Sequence, residues 1–68
     1  MKHEIVADVF GQKLLDNQGR LKNLLPAHQE VEILEANQQP FAAGTWTKVR
    51  TLSGKVGWVD ADHVVRVE

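Results

Sequence analysis

Between Glu30 and Leu34 the chain alternates acid with aliphatic side chains, which puts Val31 and Ile33 on one side of an extended segment and the two carboxylates on the other. A helix would spread that alternation round its axis, so a strand with one face against a core is expected. Other short apolar segments are separated by turn chemistry. Ile5 to Phe10 predicts a first strand, ended or bulged at Gly11. Gln12 to Lys22 predicts an irregular hairpin, with Leu14 and Leu15 on one arm, Leu21 on the other and Asp16-Asn17-Gln18-Gly19 as its turn. Leu24-Leu25-Pro26 leads into the alternating segment. Asn37 to Gly44 predicts a loop, because Pro40 cannot donate to a central ladder. Thr45 to Thr51 is rich in β-branched residues and predicts a strand, Leu52 to Lys55 a hairpin turn with Gly54 free to take positive φ, and Val56 to Val59 the returning strand. Asp60 to His63 predicts a one-turn connector to a last strand, Val64 to Val67.

Short strands, short connections and no credible helix predict an all-β chain. With 68 residues there is one domain, spanning 1–68. A small closed barrel is the expected architecture, since closure removes the exposed edges of an open sheet. The absence of cysteine excludes disulfides and thiolate metal sites.

The segment Trp46-Thr47-Lys48-Val49-Arg50, the turn holding Gly54, and Gly57-Trp58-Val59-Asp60-Ala61-Asp62-His63-Val64 together resemble the bacterial SH3 domain family. Leu24 to Leu34 is similar to that family's third segment. The C-terminal half carries the best match, and nothing between Phe10 and Leu21 reproduces the Asn-Val-Arg-Ser-Gly-Pro-like ligand loop common in the family. The resemblance implies an SH3-like barrel of five to six strands. It also puts Trp46 at the ligand-stacking position, and Asp60 and His63 where a groove proline and tyrosine would stand. Proline-rich recognition needs aromatic ridges, so those two polar replacements disfavour it.

Formal net charge is −1, with basic and acidic residues interleaved, so no phosphate-binding surface is visible and a nucleic-acid partner is not expected. An RNA site would need an aromatic and basic surface such as Trp46 with Lys48 and Arg50. No enzyme is expected: there is no cysteine nucleophile, Ser53 lies in a turn without a nucleophile motif, and Asp60 and Asp62 read as a solvated turn. The scattered glycines form no phosphate loop, and His3, His28 and His63 lack metal-ligand spacing, so neither cofactor nor metal is expected. No signal segment or membrane-spanning run is present. The expectation is a cytoplasmic location for a complete native chain, and an extracellular or cell-wall location for a domain cut from a longer protein.

The candidate ligand-binding residues are Trp46, Phe41, Trp58, His63, Asp60 and Lys48. Trp58 reads first as core or rim packing. Trp46 is balanced between packing and surface, since Lys48 and Arg50 share its nominal strand face. Phe41, in a polar loop, either folds over an end of the barrel or joins Trp46 as an apolar anchor ringed by polar groups. Asp60 and Asp62 near His63 suggest a pH-sensitive contact. The expected function is a non-catalytic accessory module that docks a protein or peptide partner through Trp46, Phe41 and the neighbouring irregular hairpin. The alternatives are cell-wall peptide or glycan targeting, with Trp46, Trp58 and His63 lining a groove, and homo-oligomerisation through Leu14, Leu15 or Phe41.

Overall fold

A computed structural model describes residues 2–68. Seven strands follow in order: β1 (His3–Ile5), β2 (Gln12–Leu15), β3 (Leu21–Leu25), β4 (Glu30–Gln38), β5 (Trp46–Thr51), β6 (Val56–Asp60) and β7 (Val64–Arg66), with a 3-10 turn at Ala61–His63. They form one antiparallel sheet in the order β3-β2-β6-β5-β4-β1-β7. The pairs Val31↔Thr51, Ile33↔Val49, Val49↔Gly57 and Thr47↔Val59 put the predicted alternation of β4 on the same face as the inward residues of β5 and β6. The core on that face is Ile5, Leu14, Leu25, Val31, Val49 and Val59, one residue from each of β1 to β6. Thr47 and Thr51 are buried beside them. Their hydroxyls stay satisfied: Thr47 accepts from the Asn37 N–H, and Thr51 bonds Ser53 and accepts from the Lys55 N–H.

The all-β expectation holds, but the five- to six-stranded SH3-like barrel does not: the seven-stranded sheet is open, with β3 and β7 as unpaired margins. Closure had been expected because bare edges are a liability, and here the edges are blunted by other means. Strand β3 carries a bulge, Leu14 pairing with Asn23 and Leu15 with Leu21, so that Lys22 is left over. The N–H of Leu24 is taken by the Asn23 side chain at 3.0 Å. Strand β7 is three residues long. Between β3 and β4 the chain turns through His28, at φ 68°, whose N–H donates to the Ile5 carbonyl while the Ile5 N–H donates to Gln29. That turn occupies the end of β1.

Two boundaries also differ. The first strand stops at Ile5 instead of running to Phe10. Asp8 breaks it: its carboxylate accepts the Phe10 N–H at 2.9 Å and its carbonyl accepts the Gly11 N–H at 3.2 Å, with Gly11 at φ 86°. Strand β4 continues to Gln38, into the predicted loop, through two register shifts that bring Gln38 opposite Trp46.

The hairpin β2–β3 joins the rest of the sheet through one registered pair, Leu15↔Trp58. This seam needs Gly57, since a Cβ there would lie 2.6 Å from the Leu15 carbonyl oxygen and 2.8 Å from Leu14 Cγ. Leu14 is fully buried at that contact. Gly57→Ala should therefore force the strands apart and lower stability by about 2–3 kcal/mol. A urea midpoint unchanged from wild type at equal m would show that the seam has slack.

Candidate functional site

On the face of β5 and β6 opposite the core, Trp46 stands across from Asp60 and Lys48 across from Trp58. Phe41 descends from the connection between β4 and β5 and meets both indoles edge-on, with centroids 5.4 Å from Trp46 and 6.3 Å from Trp58. Gly19, in the β2–β3 turn, lies against the Phe41 ring, and Gly44 lies so close to the Trp46 indole that an added Cβ would come within 2.9 Å of Nε1. Lys48 Nζ sits 5.8 Å from the Trp58 ring centroid and 3.7 Å from Glu35. Both indole donors are used inside the fold: Trp46 Nε1–H donates to the Ala43 carbonyl at 2.9 Å, and Trp58 Nε1–H to Asn17 Oδ1 at 3.1 Å. Trp58 is only 6 % exposed. The three rings thus fasten the β4–β5 connection to the hairpin turn.

The fold gathers five of the six candidate residues, Trp46, Phe41, Trp58, Lys48 and Asp60, on this face. His63 is held elsewhere. Its Nδ1 lies 3.0 Å from the Val6 carbonyl oxygen, and its own carbonyl accepts the Val6 N–H at 2.8 Å, which ties the 3-10 turn to the end of β1. Asp60 caps that turn by accepting the Asp62 N–H at 3.0 Å. Arg50 pairs with Glu32 at 2.6 Å, so both cations that flank Trp46 on β5 are engaged with carboxylates of β4. Among the described residues no group of three His, Cys, Asp or Glu side chains is placed to hold a metal, and no helix is long and apolar enough to cross a membrane.

A second surface adds to the irregular hairpin a turn whose residues the sequence pattern assigns to the first strand. Val9 and Phe10 are 93 % and 79 % exposed at the tip of the Asp8–Gly11 turn. Gly11 rests on β3, where an added Cβ would lie 3.4 Å from Leu24 Cβ. Leu24 and Leu21 are exposed on the same strand. Beside them, on the face of Trp58, a groove of about 190 Å³ is lined by Asp16, Asn17, Lys22, Lys48, Val56 and Gly57. Lys22 Nζ donates across it to the Val56 carbonyl at 2.7 Å. The one sequence signal for this surface was Asp8, three residues before Gly11, the spacing of a side-chain-braced turn.

Asp16 organises the other end of the hairpin. The Arg20 N–H bonded to its Oδ1 at 3.0 Å is the main cause that holds its carboxyl below the usual aspartate value; desolvation opposes it, and the Gln18 N–H at 2.9 Å and the charges of Arg20 and Lys22 add to the lowering.

No known protein family, curated protein or solved structure matches this chain. With no matching family and an open sheet, the resemblance to bacterial SH3 domains fails as a statement of kinship as well as of fold.

Removing the wedge should loosen both indoles. Phe41→Ala is expected to cost about 2 kcal/mol and to red-shift tryptophan emission; an unshifted spectrum would mean that Phe41 does not cover the rings. For Asp16 the folded pKa is depressed, so its stabilisation is present above the unfolded value and is lost as pH falls through the folded one. The stability gap between wild type and Asp16→Asn should therefore close on acidification below the usual aspartate range. A gap that does not vary with pH would show that the ionised carboxylate is not what braces the turn.

Proposed function

We propose that this chain is a non-catalytic binding module for a protein or peptide partner, and that it docks through the outer side of the β2–β3 hairpin and the adjoining Asp8–Gly11 turn. The observation that carries this reading is the exposure of Val9 and Phe10 on a turn braced by two hydrogen bonds. Single exposed apolar residues are ordinary on protein surfaces. Here an aromatic and an aliphatic neighbour are held out together on a turn whose Gly11 abuts Leu24, and Leu21 is exposed on the same strand, a set of apolar side chains of the kind that interfaces bury. Because the turn is already fixed, little ordering entropy opposes docking. The Phe41, Trp46 and Trp58 cluster, on the same face as the groove, supports this surface by anchoring the hairpin turn at Gly19. The wall-targeting alternative asks Trp46, Trp58 and His63 to line one groove. It draws less support, since both indole N–H groups already have partners and the His63 ring is turned to Val6.

The test is a peptide-display selection on the immobilised protein, followed by NMR mapping of the selected peptides. Val9→Ser/Phe10→Ser should fold normally, within about 0.5 kcal/mol of wild type, and bind the selected peptides about 30-fold more weakly, the loss expected of an interface anchor. Equal binding by the variant, or shifts centred on Trp46 and His63, would reject the hairpin as the docking surface.

A further inference from the structure

Resting on the hairpin reading above, we infer that the docked partner is an acidic as well as apolar segment, its carboxylates directed to the groove between Lys22 and Lys48 and its aliphatic side chains to Phe10, Leu24 and Leu21. The charge distribution points this way. From Gln12 to His28 the chain has three cations, Lys13, Arg20 and Lys22, and one carboxylate, Asp16, a net +2; the whole chain carries −1, so the remainder carries −3. The excess is also free of close ion pairs among the described residues, with Arg20 and Lys22 acting on Asp16 only through longer-range charge. Lys2, Lys48 and Arg50 are each paired with a glutamate, whereas among the described residues Lys13, Arg20 and Lys22 form no ion pair. Lys55, also without an ion pair, directly precedes Val56 of the groove lining. Asp16, the groove's own carboxylate, is turned onto the N–H groups of Gln18 and Arg20. The groove of about 190 Å³ holds Lys22, which donates to the Val56 carbonyl and has no ion pair among the described residues, and Lys48, which already pairs with Glu35, and it has room for a carboxylate-bearing side chain at Lys22.

The placement of the leucines suits a short segment. The bulge at Lys22 sets Leu24 opposite Lys13 and Leu21 opposite Leu15, so that both leucines fall on one face of the hairpin. A second copy of this chain fits less well, since a two-fold contact through the same surface would set one +2 hairpin against the other. Opposite charge on the partner instead steers it to the hairpin and fixes which side chains meet Lys22 and Lys48.

The experiment titrates the isotope-labelled protein with two synthetic peptides, one alternating leucine with glutamate and the other leucine with lysine, and separately with phosphatidylcholine vesicles containing phosphatidylserine. The glutamate peptide should give saturable amide shifts at Gly11, Lys13, Lys22 and Leu24, bind at least about tenfold more tightly than the lysine peptide, and weaken about tenfold between low salt and roughly 0.5 M. Lys13→Glu/Lys22→Glu should reverse the preference between the peptides. If both peptides bind this surface equally, the acidic character is refuted while hairpin docking stands. Shifts confined to residues outside the hairpin and its turn, or no shifts at all, together with selected peptides indifferent to Val9→Ser/Phe10→Ser, would overturn both readings. Vesicle binding without peptide binding would overturn the inference in favour of an anionic lipid surface.

Discussion

The close approach of β2 to β6 at Gly57 is the contact on which the rest of the structure depends. A strand pair normally carries side chains on both faces, yet here the backbone of Leu15 and the side chain of Leu14 occupy the space that a Cβ at position 57 would fill. That vacancy admits Leu14 to the core, where it meets residues from the other strands. The opposite face of the seam is closed by Trp58, held to Asn17 and covered by Phe41. The hairpin is thus fixed from two sides although only one residue pair registers it to the sheet. Its attachment comes from packing more than from the ladder.

An open sheet needs protected margins, and this one protects them with a bulge, a side-chain cap on Leu24 and a three-residue final strand. Those devices also bear on function. Strand addition at β3 would have to displace Asn23 from the Leu24 N–H and accommodate Lys22, whereas docking on the face of the hairpin leaves both undisturbed. Leu21 and Leu24 are exposed on that face, Val9 and Phe10 on the adjoining turn, and Lys13, Arg20 and Lys22 of the same hairpin form no ion pair among the described residues. A partner that covers Phe10, Leu24 and Leu21 would bury apolar surface while neutralising the hairpin, two gains that do not compete.

The parts of the fold legible in the sequence were those decided locally. The alternation from Glu30 to Leu34 marked a half-buried strand, Asp16 to Gly19 marked a turn, and Asp60 to His63 marked the single turn before the last strand. Closure was not legible, because it relates strands at the two ends of the sheet and depends on the bulge at Lys22 and on where the turn at His28 docks. The run from Ile5 to Phe10 is apolar enough to read as one strand, and the Asp8 side chain alone divides it, which is why the exposed Val9 and Phe10 were mistaken for strand residues. Much of the aromatic group was visible as a list of residue types. That Phe41 would sit between both indoles was not, because the turn at Gly19 against which the ring lies is distant in sequence. The spacing of Trp46 from Gly57-Trp58-Val59, which suggested a family, is what an antiparallel pair joined by a short turn produces without kinship.

The hairpin and the remaining strands form one cooperative unit locked at Gly57, which presents the apolar turn and the groove as a rigid surface. Native-state amide hydrogen exchange tests this directly, by comparing Leu14 and Asn23 of the hairpin with Thr47 and Val59 of the central strands. All four should exchange with the same free energy of opening, equal to that of global unfolding. Exchange of Leu14 and Asn23 through a separate opening of lower free energy, with Thr47 and Val59 still protected, would contradict it.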